Sequence, residues 1–339
     1  MIRIPRREKY ACETLRSAFW ASQIVLFLSL CLSSFAQAQS VTDQRTDLPT
    51  VLSTDLSVNR DVDDWYDVFQ FVRTRPKQPS AIMLDSYATD EVEELARTFL
   101  NILGRPELQI VKGIRETLEA HTCEVDGKCP PCSASPSTRF YHDFLSASKE
   151  KARIIAVGSL RNEAAAFLCF PSLFISKIDA IYIVAGRLGG DGSTNFNRDR
   201  LAATIIVNSP IPKVWFEKSH QYMPAEIERQ FYASGVRSAA FLSQRVEEWR
   251  KWRGLAFLEK TRQLPDQGRN MWSIPAFMIA SSQPLALDAA NGKMELNPRT
   301  RRLEFHRYAR GADLMLRNVD NDAAERWLAG LLMEEAQRK

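Results

Sequence analysis

The run Ser53-Thr54-Asp55-Leu56-Ser57-Val58-Asn59-Arg60-Asp61-Val62-Asp63-Asp64 carries the densest set of reactive groups in the chain. Four carboxylates within ten residues repel one another unless protons or a cation compensate. They are hard oxygen donors and suit calcium or magnesium. A capped acidic loop bathed in solvent is the competing explanation of this segment taken alone. Asp63 and Asp64 also stand where a helix should begin, and a helix N-terminus favours negative charge.

The neighbouring elements decide which explanation is better. The segment 50–54 opens with Val51-Leu52 and reads as a short buried strand, and 64–72 (DWYDVFQFV) has apolar residues at helical spacing. Further strands are expected at 81–84, 108–111, 153–157, 180–184 and 213–216. Helices are expected at 89–103, 140–149, 162–170, 199–207, 225–234, 241–252, 275–280 and 323–332. Asn291-Gly292 reads as a hairpin turn between two strand-like runs. Strands alternating with helices predict an α/β fold: an open, mostly parallel sheet with helices on both faces. Sites in such sheets lie beyond the carboxyl ends of the strands, where Asp55 would stand.

These segments resemble the inosine–uridine-preferring nucleoside hydrolase family, whose members open with a strand, Asp-Thr-Asp, a short loop and Asp-Asp. Here the match is Ser53-Thr54-Asp55 and Asp63-Asp64, with a longer loop between them. RIIAVGSLRNEAAAF (153–167) looks like the family's strand, Gly-Pro-Leu-Thr-Asn turn and helix. In 178–212, Asn195-Phe196-Asn197 stands at the Glu-Phe-Asn motif and Asp199 at the Asp that follows it. MWSIPAFMIA (271–280) resembles the segment where a late Asp opens a helix, and 318–332 resembles the closing helix.

The resemblance implies a calcium-dependent hydrolase of the N-glycosidic bond of ribonucleosides or related ribosides. By position, Asp55 is metal ligand and general base, and Asp64 is a second ligand. Arg161 offers its main-chain carbonyl to the ion, and Ser273 stands at the late ligand. Asp63 and Asn197 hold ribose hydroxyls, Asn195 lines the same sugar site, and Trp272 stacks on the leaving base or is an ordinary packed aromatic. Three positions depart from the family pattern: Ser53, Asn195 and Ser273 each replace an acid and remove a negative charge. The alternative is therefore a noncatalytic exported protein that binds a riboside or a partner through the same cleft. A phosphatase of the haloacid-dehalogenase kind needs a nucleophilic first Asp, and Ser53 occupies that place. His121, His142, His220 and His306 are scattered, with surface or capping roles expected, and the GRLGGDG loop (186–192) lacks dinucleotide-fingerprint spacing.

Composition fits this reading. The 339 residues are 45% hydrophobic and 25% charged, with net charge +4. Residues 1–38 hold five Lys/Arg against two Asp/Glu, so the remaining body is near neutral and has no basic footprint for nucleic acid. The partner expected is a small-molecule riboside, and a homo-oligomer is compatible with the sequence. A basic stretch, the apolar run 17–35 and Ala36-Gln37-Ala38 read as an export signal over 1–38, with the uncleaved anchor as the competing reading. A polar leader (39–48) and one domain (49–335) with a Cys-rich loop (121–138) follow. The expected location is periplasmic or secreted, with no stable membrane insertion after cleavage. Cys12 and Cys31 leave with the signal. Cys123, Cys129, Cys132 and Cys169 remain, an even number suited to disulfides, and at least two of the three loop cysteines are expected to be bridged. Mass spectrometry of protein from the native host is expected to show Gln39 at the amino terminus; an intact Met1 terminus would overturn the signal reading.

Overall fold

Val51 and Leu52 have no exposed surface, and every residue of β1 (Pro49–Thr54) is buried. Burial on both faces is the signature of a central strand covered by helices on each side. The computed structural model describes residues 48–338 apart from 75–76, 119–131, 133–134, 185–193, 217–221, 262–268, 284, 286, 298–299, 301 and 309. All of these fall in one compact unit, Arg45–Lys339. The export signal (1–38) and all of the leader except Leu48 lie outside the described residues, as do the GRLGGDG loop, His121, His220, Cys123 and Cys129. Among the described residues, no helix is long and apolar enough to cross a membrane.

β1 pairs in parallel with β2 (Lys77–Leu84) on one side and β4 (Ala152–Ala156) on the other. The row continues through β3 (Gln109–Lys112) beyond β2, and through β5 (Ile178–Val184), β6 (Lys213–Phe216) and β11 (Asp313–Arg317) beyond β4, all parallel. Two antiparallel strands, β9 (Asp288–Leu296) and β10 (Leu303–Arg307), close the far edge, giving the order β10-β9-β11-β6-β5-β4-β1-β2-β3. β7 (Tyr222–Met223) and β8 (Arg269–Asn270) form a separate two-stranded sheet. The expected open, mostly parallel sheet is present.

Asn291-Gly292 is not a turn. Both residues sit inside β9, and Gly292 is paired with Arg307 on one side and Asp313 on the other. A Cβ at Gly292 would lie 2.2 Å from the His306 carbonyl oxygen, so the glycine marks a close approach of two backbones. β9 runs on to Leu296, which pairs with Leu303 of β10. One of the loop cysteines is bridged, and Cys123 and Cys129 lie outside the described residues. Cys132 is bonded to Cys169 at the end of α4 (Arg161–Cys169), with Cα atoms 5.7 Å apart, so the bridge joins the loop to a helix.

The first helix, α1 (Asp63–Arg73), is buried almost all round, from Asp64 to Val72. Two adjacent residues of its first turn fix its position. Trp65 packs edge-on against Phe99 of α2 (Asp90–Ile102) and Phe241. On the next residue, the Tyr66 hydroxyl donates to Glu228 Oε1 at 2.8 Å. Glu228 belongs to α8 (Ala225–Ala233), after α3 (Pro136–Ala147), α5 (Pro171–Lys177), α6 (Thr194–Arg198) and α7 (Arg200–Asn208). It also accepts from Arg269 Nη2 at 2.8 Å and from Tyr232 at 2.8 Å. Burial acts to raise its pKa, but Arg269 and the two hydroxyls outweigh it and leave the carboxyl below its ordinary value. The remaining helices are α9 (Arg237–Arg253), α10 (Leu255–Thr261), α11 (Ile274–Ala280) and α12 (Asn321–Ala336). Removing one partner of a buried ion pair leaves the other charge unpaired, which costs about 3–5 kcal/mol. Urea unfolding of Glu228→Ala is expected to show a loss of that order, and a loss under about 1 kcal/mol would contradict a buried ion pair here.

Candidate active site

The parallel strands end on a common edge. β1 stops at Thr54, and the next residue is Asp55. The Asp85 amide donates to the Thr54 carbonyl at 2.8 Å, and the Val157 amide donates to the Ser53 carbonyl at 2.9 Å. Asp55, Asp85 and the turn Val157-Gly158-Ser159 therefore stand side by side beyond the sheet. Gly158 is required there: a Cβ would lie 2.7 Å from Asp85 Oδ2 and 3.2 Å from the Asp55 amide nitrogen. The lengthened loop after Asp55 is closed by its own residues. Ser57 Oγ accepts from the amides of Arg60 at 3.0 Å and Asp61 at 3.2 Å, a side-chain turn of the kind serine favours. Trp65 Nε1 donates to the Ser57 carbonyl at 3.0 Å, tying the loop to the buried face of α1.

A cavity of about 210 Å³ opens at this edge. Six of the site residues expected from sequence line it: Asp55, Asp63, Asp64, Asn195, Trp272 and Ser273. Asp61 joins them from the lengthened loop. Two expected residues do not. Asn197 is exposed and its amide oxygen is taken by Arg200, because the short helix α6 turns it away from the cavity that Asn195 faces. Arg161 is not among the lining residues. Its buried guanidinium donates to Asp199 Oδ2 at 2.9 Å, to the Arg115 carbonyl and to the Arg198 carbonyl at 3.2 Å. It is a strut behind the cavity wall. Asp199 accepts this bond while capping α7 through Ala202, so its role is structural too. Among the described histidines, His142 pairs with Asp143 and His306 lies near Glu295, both on the surface.

Three charged lining residues were missed in the sequence reading: Asp67, Arg198 and Arg253. Asp67 was detectable, since it lies three and four residues after Asp64 and Asp63 and so shares their helix face. Its Oδ1 accepts from the Ser273 hydroxyl and from Gln70 Nε2 at 3.2 Å. Ser273 sits at the N-cap of α11 but makes no capping bond with its side chain, which is turned to Asp67 instead. Arg198 and Arg253 carried no local signal, because their relation to the carboxylates exists only across the fold. The Arg198 guanidinium forms an ion pair with the Asp55 carboxylate. Its Nη1 also donates to Asn195 Oδ1 at 3.5 Å, and its guanidinium carbon lies 5.3 Å from the Tyr87 ring centre.

The electrostatics follow from crowding. Burial raises Asp63 and Asp64 well above the ordinary carboxylate range, and repulsion from Asp61 and Asp67 raises both further. Asp67 is raised to about 8 by burial, opposed by the Ser273 hydrogen bond. Asp85 is raised by burial, opposed by its bonds to Ser159. The cavity thus offers carboxyls whose protonated form is favoured, Asp67 among them up to about pH 8, beside Asp55, which faces a guanidinium. Such a set can donate and accept hydrogen bonds to sugar hydroxyls and move a proton.

The calcium ion expected from sequence meets a poor donor set. Asp64 Oδ2 has no partner among the described residues, and the donors are hard oxygens, as calcium requires. However, the Asp55 carboxylate is taken by Arg198, and the Ser273 oxygen is turned to Asp67. Among the described residues, no three His, Cys, Asp or Glu side chains are grouped so that they could hold a metal ion. As arranged, these residues do not fit the ion.

No protein-family model matches the chain, and no curated protein matches it in sequence. Solved structures do. A plant nucleoside hydrolase, PpNRh1, superposes with a TM-score of 0.65 at 16% identity, over 86% of this chain and 99% of the plant chain. The purine-preferring ribonucleoside hydrolase of Gardnerella vaginalis gives 0.62 at 15% identity, over 85% and 99%. The type III effector XopQ, solved with adenosine diphosphate ribose, gives 0.62 at 14% identity, over 90% and 99%. At these identities the likeness concerns the fold.

A carboxyl whose native pKa lies above its unfolded value stabilises the protein fully only below the unfolded pKa, and this contribution is lost as pH rises through the native one. For Asp67 that window runs from its ordinary 3.8 to about 8. Melting temperatures taken across pH 5–8 are therefore expected to fall more steeply for wild type than for Asp67→Asn, which keeps a partner for Ser273. The variant should gain about 1–3 kcal/mol at pH 8, with about 2–4 °C for each kcal/mol. Parallel pH profiles would show that Asp67 is ionised in both states.

Proposed function

We propose that this chain, which has the fold of the nucleoside hydrolases, binds the ribosyl group of a nucleoside or related riboside in its carboxylate cleft and cleaves the N-glycosidic bond with water. The observation that carries the proposal is the convergence of Asp55, Asp63, Asn195 and Trp272 on one cavity at the carboxyl edge of the parallel sheet. Ribose offers adjacent hydroxyls, which suit a carboxylate beside an amide. Asp63 and Asn195 take this role, and Trp272 offers a face on which a planar base stacks.

Asp55 takes a proton from water as the water oxygen bonds to the anomeric carbon. The C–N bond breaks, its electron pair goes to the base nitrogen, and a protonated carboxyl of the cleft supplies that nitrogen's proton. Arg198 stands against Asp55 and fixes its orientation, which supplies positioning. No step passes through a metal ion, since the donors do not fit one.

That same ion pair favours the second reading, a noncatalytic riboside binder, because a carboxylate stabilised by a guanidinium is a weak base. Export to the periplasm or the medium is part of the proposal. It is supported by the basic, apolar and Ala-Gln-Ala succession and by the Cys132–Cys169 bond, since disulfides persist in oxidising compartments.

The test is chromatographic release of free base from a panel of ribonucleosides by the mature protein. Release is expected for at least one, with Asp55→Ala slower by about 10²–10⁴-fold. Calorimetric binding of a ribonucleoside without release would establish the binder instead, and neither binding nor release would sink both readings.

A further inference from the structure

We propose that the Arg198 guanidinium is the resident cation of this cleft, standing where a divalent ion would have to sit and making riboside binding independent of metal. The riboside half of this inference rests on the ribosyl-cleft reading above; the metal half does not.

Four observations carry it. The guanidinium is paired with Asp55, the carboxylate that any ion at the strand end must use. It is held in place from several directions. Arg161 donates to the Arg198 carbonyl at 3.2 Å while bound to Asp199, Arg198 Nη1 reaches Asn195 at 3.5 Å, and the Tyr87 ring lies beneath at 5.3 Å. At the head of α11 stands Ser273, whose hydroxyl donates to Asp67 and brings no negative charge to a coordination shell. Finally, two residues of the same cavity, Asn195 and Ser273, are neutral, as is the fully buried Ser53 on β1. A single positive charge needs fewer anions around it than a doubly charged ion does.

Competition sharpens the argument. A calcium ion entering this cavity would have to break the Asp55–Arg198 pair and leave a guanidinium beside a doubly charged ion, with Arg253 lining the same cavity. An arginine cannot escape that repulsion by losing its proton. It also holds a carboxylate through directed N–H bonds at a lower desolvation cost than an ammonium. The arrangement therefore selects against the ion rather than merely lacking it.

The experiment titrates calcium chloride by calorimetry into the metal-stripped mature protein as wild type, Arg198→Met and Arg198→Met/Ser273→Asp. Wild type is expected to show no saturable binding up to about 10 mM, beyond the range even of weak extracellular calcium modules. The double variant should bind below about 1 mM, since it frees Asp55 and restores an acid at the head of α11. Ribose and a ribonucleoside, titrated in EDTA and again in calcium, should bind wild type equally in both and Arg198→Met at least about tenfold more weakly. Submillimolar calcium binding by wild type that disappears in Asp64→Ala overturns the inference, as does riboside binding that requires calcium. A folded double variant that still refuses calcium overturns it too, because the guanidinium would not then be what excludes the ion. If no riboside binds under either condition while wild type refuses calcium and the double variant accepts it, the ribosyl reading falls and the cation assignment stands. Should the Arg198 variants fail to fold, the wild-type calcium isotherm decides alone.

Discussion

Five aspartates share one cavity of about 210 Å³, and their mutual repulsion is the constraint on which the rest of the site depends. Charges this close and this poorly solvated cannot all ionise without compensation. The protein meets the constraint in several ways at once. Asp55 receives the Arg198 guanidinium, and Asp67 receives the Ser273 hydroxyl. Asp63 and Asp64 open α1, where the exposed amides of the first helical turn carry partial positive charge. Burial then favours the protonated form of Asp63, Asp64 and Asp67.

Compensation of this kind works only if the groups cannot move apart, and the surrounding contacts supply that rigidity. α1 is fixed by Trp65 in an aromatic cluster and by Tyr66 in the buried Glu228–Arg269 network. The wall opposite is fixed by Arg161, which links the start of α4 to Asp199 and to the Arg198 backbone. Gly158 lets the β4 turn approach Asp85 and Asp55 more closely than any side chain would allow. The two walls of the cavity are therefore held by ion pairs lying behind it. A substitution at Glu228 or Arg161 should alter the cleft without touching its lining.

Polarity at the cavity is consistent with a sugar as occupant. Carboxyls, an amide and a hydroxyl face inward, with Trp272 as the large flat apolar surface. An occupant with several hydroxyls on one side and a planar ring on the other matches that division. The fold is shared with structures that act on ribonucleosides and with one solved with adenosine diphosphate ribose. The charge pattern here differs from the one expected of a calcium site, and the difference is concentrated in Arg198, Ser273 and Asn195.

The sequence by itself determined the alternation of strands and helices, the position of Asp55 at a strand end and the placing of Asp63 and Asp64 at a helix start. These are local matters, set by apolar periodicity and by caps within a few residues. It also held the signal for Asp67, at helical spacing from its neighbours. Only the tertiary structure decided which cation faces Asp55, because Arg198 is 143 positions away and nothing in its own segment refers to the aspartates. The same holds for Cys132, whose partner is Cys169, and for Ser273, whose hydroxyl turns to Asp67 across 206 residues. Gly292 shows the reverse error. Asn-Gly is a turn signal when only its own backbone preferences count, but inside β9 the glycine is kept by two neighbouring strands that leave no room for a side chain. Local sequence fixes conformation where the energy is local. Charge pairing and close backbone approach depend on what lies across the fold, and no spacing along the chain encodes it.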